Sequence, residues 1–82
     1  MTDKEWKELC DWVKSLNTKH CFIDNSDEEV ILVGVGDNSP YIFGGGYLEI
    51  TKNGEVIEYD CEIVIAENRT QTQMKAIIEN LL

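Results

Sequence analysis

The side chains best equipped for chemistry in this sequence are carboxylates. One run holds Glu49, Glu58, Asp60 and Glu62, and a second holds Asp24, Asp27, Glu28 and Glu29. Grouped carboxylates can bind a divalent cation or serve as the acid and base of a glycosidase. Neither pattern is complete here. The stretch Asp24-Asn25-Ser26-Asp27-Glu28-Glu29 lacks the alternating acids around a glycine that a calcium loop requires. A glycosidase pair needs a sugar-sized cleft between its carboxyls, which a chain of 82 residues hardly provides.

Cys10, His20, Cys21 and Cys61 make four potential zinc ligands. Structural zinc sites use ligands paired at short spacing. His20 and Cys21 are instead adjacent, and adjacent strand residues point to opposite faces. A nucleophilic cysteine needs an orienting partner and an oxyanion site, and nothing in the sequence marks either. The thiols read as small buried hydrophobes. Gly34-Val35-Gly36 lacks the third glycine and following helix of a dinucleotide fingerprint, and Gly44-Gly45-Gly46 lacks the lysine and hydroxyl residue of a phosphate loop. Both read as bulges or bends. The triple glycine has a second reading as a protein contact, bare backbone rimmed by Tyr41, Phe43 and Tyr47. The expectation is a chain with no catalytic residue, no cofactor and no metal site.

The positioning elements must fit into a single domain with one core. Hydrophobic residues make up 43% of the chain, enough for a packed interior. No apolar run approaches the roughly 18 residues that span a bilayer, and the opening MTDKEWKELCDW is charged and amphipathic, unlike a signal peptide. Three cysteines without CxxC spacing argue against a disulfide framework. Together these point to a cytoplasmic protein.

The net charge of −9 is unevenly placed. Residues 1–20 balance Asp3, Glu5, Glu8 and Asp11 against four lysines, whereas residues 21–82 carry twelve acids against Lys52, Arg69 and Lys75. Such a surface repels nucleic acid and anionic membranes and attracts a basic protein.

Residues 2–18 predict a helix. Thr2 and Glu5 form a capping box, and Trp6, Leu9, Val13 and Leu16 share one face, with Trp12 at its flank. Short strands are expected at 21–23 and at 29–35, the latter apolar on both faces and therefore central. A third runs from Tyr41 to Thr51, interrupted by the glycines, and a fourth from Glu55 to Ala66. Thr70 and Gln73 form a second capping box, followed by Met74, Ile77, Ile78, Leu81 and Leu82 at helical spacing. The fold class is α+β: an N-terminal helix, a four-stranded antiparallel meander and a C-terminal helix, both helices on one face of the sheet.

Asn53-Gly54 suggests a two-residue hairpin loop. That register pairs Ile50 with Ile57, Glu49 with Glu58 and Leu48 with Tyr59. The covered face would then hold Leu48, Ile50, Ile57, Tyr59, Cys61, Ile63 and Ile65, and the open face Glu49, Glu58, Asp60 and Glu62. Opposed like charges cost stability, so folding alone does not ask for this arrangement. The simpler reading is a solvated face that tolerates its charges.

The function expected from this pattern is non-enzymatic binding, in which carboxylates imitate phosphates and occupy the basic, nucleic-acid-binding surface of a partner protein. In size, charge and compactness the chain resembles the small acidic proteins with which phages block host nucleases, anti-CRISPR and anti-restriction proteins among them. No sequence motif carries that resemblance. The alternative is a structural or assembly module, a homodimer or subunit held by apolar surface: the second face of 29–35, Trp12 and the aromatics beside the glycines.

Overall fold

The computed structural model describes residues 1–35, 46–58 and 62–82. Helix α1 spans Asp3–Leu16 and its start is capped reciprocally. The Thr2 hydroxyl accepts from the Glu5 N–H at 3.1 Å, and the Glu5 carboxylate accepts from the Thr2 N–H at 2.9 Å. These bonds hold the Glu5 carboxyl below its ordinary pKa. The helix stops two residues short of Thr18 because Asn17 adopts a left-handed conformation, which asparagine tolerates well, and donates its N–H to the Lys14 carbonyl at 3.3 Å.

Five antiparallel strands follow among the described residues: β1 (Cys21–Asp24), β2 (Val30–Gly34), β3 (Tyr47–Ile50), β4 (Val56–Glu58) and β5 (Ile63–Ala66). Their spatial order is their chain order, a meander. Helix α2 spans Gln71–Leu81 behind the predicted Thr70–Gln73 capping box. As expected, β2 is an interior strand, buried at all five positions. No helix among the described residues is long and apolar enough to cross a membrane.

Two expectations are corrected. The single return strand Glu55–Ala66 is two strands, with β5 turning back onto β4. Glu62, just before β5, has φ +53°, a left-handed backbone uncommon for a residue other than glycine. The expected alternation ran on through 59–62 because no glycine, proline or asparagine interrupts it there. Within the hairpin, the register is also one residue away from the expected one. Ile50 pairs with Val56, Glu49 with Ile57 and Leu48 with Glu58. The loop has three residues rather than two: Gly54 donates to the Thr51 carbonyl at 3.0 Å, and Thr51 donates to the Glu55 carbonyl at 3.1 Å. Gly54 takes φ +85°, as the bulged glycine of a three-residue hairpin does.

A slip of one residue exchanges the faces of a strand. Val56 therefore enters the core at 1% exposure and Ile57 moves to the open face. Ile63 and Ile65, expected in the core, are about half exposed. Tyr59 and Cys61 lie outside the described residues, as do the loop 37–40 and the aromatics Tyr41 and Phe43.

The core lies between the sheet and both helices. Cys21, Ile31, Val33, Leu48, Ile50 and Val56 meet Trp6, Leu9, Cys10 and Val13 of α1 and Met74 and Ile78 of α2. Gln71 ties the helices together, donating from Nε2 to the Glu5 carbonyl at 2.9 Å. Trp12 stays half-buried beneath the Lys75 ammonium, 5.6 Å from its ring centre.

Candidate functional site: an acidic depression on the open sheet face

The face away from the helices is fixed by strand parity. Asp24 pairs with Val30, Leu32 with Glu49, and Glu49 with Ile57, so these five side chains share one surface. They line an open depression of about 470 Å³. Its apolar floor is Val30, Leu32 and Ile57, and its carboxylates are Asp24, Asp27, Glu28, Glu49 and Glu55. Among the described residues no lysine or arginine lines it. Lys52, at the hairpin tip, reaches away to form an ion pair with Asp3 at the start of α1, and that pairing holds the Asp3 carboxyl below its ordinary pKa.

The loop between β1 and β2 delivers one side of the rim. The Asp24 Oδ1 accepts from the Ser26 N–H at 2.9 Å, a local turn that fixes the chain just before Asp27 and Glu28. The opposite side comes from the β3–β4 hairpin, where the Thr51 hydroxyl accepts from the Glu55 N–H at 3.3 Å. Glu49 stands between them on the sheet. Its carboxyl is pushed above the ordinary value, first by burial and then by the charges of Glu28, Asp24 and Glu62.

The two acidic groups expected from the sequence are thus redistributed. Glu49, Asp24, Asp27 and Glu28 come together in one depression. Glu62 stays exposed and acts on Glu49 through its charge. Glu58 does not oppose Glu49: it pairs with Leu48 and belongs by parity to the other face, where it is exposed. Asp60 lies outside the described residues. Glu29 turns toward α1, where its Oε1 accepts from the Trp6 Nε1 at 2.7 Å and from the Cys10 thiol at 3.8 Å. Glu55 and the turning of Ile57 onto this face were not expected. Gly54 at the third loop position was the one local cue to them, because it also fits a three-residue loop.

The two described thiols are not poised as nucleophiles. The Cys10 thiol is pushed up to about 12, mainly by burial and then by Glu29, and the Cys21 thiol to about 11 by burial. A catalytic thiol is shifted the other way. The described residues contain no group of three or more His, Cys, Asp or Glu side chains placed to hold a metal ion. The depression joins a concentrated negative potential to an apolar floor, which suits the charged heads and aliphatic stems of lysine and arginine.

Comparison with protein families, with curated proteins and with solved structures finds no match.

Proposed function

We propose that this chain is a non-enzymatic acidic binding protein that occupies a basic, nucleic-acid-binding surface of a partner protein through the open face of its sheet. The observation that carries this reading is the gathering of Asp24, Asp27, Glu28, Glu49 and Glu55 around one depression with no basic side chain among the described residues lining it. Self-repulsion on Glu49 supports it, because a cation brought by the partner relieves the same charges that disfavour its ionised form. The net charge of −9 adds long-range steering, which speeds association and makes it salt-sensitive. The mode is that of a DNA mimic, with the character of phage inhibitors of restriction or CRISPR nucleases.

The test is capture on the immobilised protein from a bacterial lysate, eluted by a salt gradient, beside a Glu28→Lys/Glu49→Lys variant. Retention of a nucleic-acid-processing protein that elutes at moderate salt and is lost from the variant supports the reading. Equal retention by the variant, or binding that persists in high salt, overturns it.

A further inference from the structure

The last strand of the sheet is built unlike the others. Ile63, Val64 and Ile65 are 54%, 41% and 53% exposed, three consecutive apolar side chains on β5. Among the described residues β5 has one strand neighbour, β4, and forms an edge of the sheet. Edge strands are normally blunted by a lysine, a proline or a covering element, because their outward N–H and C=O groups are a template for another strand. Here the four residues Ile63-Val64-Ile65-Ala66 contain neither lysine nor proline. The one interruption is a register shift against β4, which passes from Val56–Ala66 to Ile57–Val64 and leaves Ile65 as the extra residue.

We propose that the β5 edge receives an extended segment of a partner protein as an added strand, and that this segment has an apolar centre flanked by lysine or arginine. The first half follows from what an edge offers: main-chain pairing is satisfied only by another extended backbone, and side chains set its specificity. The second half follows from charge. Exposed Glu58, Glu62 and Glu67 surround the apolar stretch, in a chain whose net charge is −9. A second copy of the chain fits poorly. Antiparallel self-pairing over the whole of 62–67 sets Glu62 opposite Glu67 of the other copy, and like charges directly opposed are unfavourable. The inference rests on the basic-partner reading above, and adds to it a second contact made by main-chain pairing rather than by charge alone.

The test uses two synthetic peptides, Lys-Lys-Val-Ile-Val-Lys-Lys and the same peptide with proline at its centre. Proline keeps the charge and removes a main-chain donor. Backbone amide shifts and hydrogen exchange are followed on the intact chain and on Glu49→Lys and Ile63→Lys variants. The expected result has three parts. The first peptide slows exchange at Ile63–Ala66, the proline peptide binds at least about tenfold more weakly, and Ile63→Lys weakens binding while Glu49→Lys leaves the β5 protection in place. Equal binding of both peptides overturns the inference. So does a sedimenting dimer whose β5 amides are protected without peptide. Shifts confined to the surroundings of Glu49, and lost in Glu49→Lys, also overturn it but leave the acidic-face reading intact. Failure of both peptides to bind anywhere counts against both readings.

Discussion

The indole N–H of Trp6 donates to a carboxylate oxygen of Glu29 at 2.7 Å, across 23 positions of sequence. Trp6 is buried in the core, and a buried indole N–H ordinarily finds a hydrogen-bond partner. Glu29 is therefore a structural acceptor that joins α1 to the start of β2, although it directly follows Glu28, which lines the depression. Adjacent acids with the same chemistry divide between folding and the proposed binding face.

That division predicts opposite behaviour on mutation. Glu29→Ala removes the charged acceptor of the part-buried Trp6 N–H and is expected to cost about 1–3 kcal/mol. Glu28→Ala removes a repulsive charge beside Glu49 and is expected to change stability by no more than about 0.5 kcal/mol. Urea denaturation of the two variants at neutral pH measures both. Equal losses would show that the Trp6–Glu29 bond carries no special weight.

Glu49 sets a pH dependence with a definite sign. Its pKa is higher in the folded chain than in the unfolded one, so the folded state holds the proton longer. Stability contributed by this group is greatest below the ordinary glutamate value of 4.5 and declines as pH rises through the interval up to its folded value. Glu49→Gln removes that decline. Thermal unfolding at neutral pH is expected to show the variant slightly more stable, by roughly 0.5 kcal/mol, the scale of opposed charges on a sheet. A variant less stable at neutral pH would contradict the assignment.

Gly54 is fixed by two constraints at once. Its φ of +85° disfavours any side chain, and an added Cβ would lie 2.8 Å from the Arg69 carbonyl oxygen and 2.9 Å from the Arg69 nitrogen. The Arg69 N–H donates to the Gly54 carbonyl at 3.0 Å, so the backbones cannot separate without losing that bond. Gly54→Ala is expected to cost about 2 kcal/mol, above the usual penalty for a helix or strand interior. The midpoint of urea unfolding reads it, and a shift no larger than that of Asn53→Ala would count against the close approach.

The thiols give a chemical check on packing. In a Cys61→Ser background, Cys10 and Cys21 are expected to react with a disulfide reagent at pH 8 only as fast as the chain opens, because burial holds both as thiols. Denaturant should release both together. Rapid labelling of either in the folded protein would show that its cover is incomplete.

The sequence by itself determined the elements that local chemistry controls. Thr2–Glu5 and Thr70–Gln73 fix the starts of both helices through bonds three residues apart, and the apolar spacing behind each sets the buried face. The unbroken apolar run of β2 marked an interior strand. The α+β class, the antiparallel meander and the placement of both helices on one face follow from these.

Tertiary structure decided the hairpin register, the fifth strand and the make-up of the acidic depression. Val56 and Ile57 are both apolar, so hydrophobic alternation could not say which faces inward. The choice is made by the left-handed turn at Gly54 pressed against Arg69 and by the fit of Val56 beside Ile50. The antiparallel return of β5 onto β4 follows a stretch, 59–62, with no glycine, proline or asparagine to announce it. The separation of Glu28 from Glu29 depends on Trp6, a partner 23 positions away that no local pattern identifies. Caps are interactions between near neighbours and are written in sequence, whereas a face of a sheet is a relation among strands and exists only once they are paired.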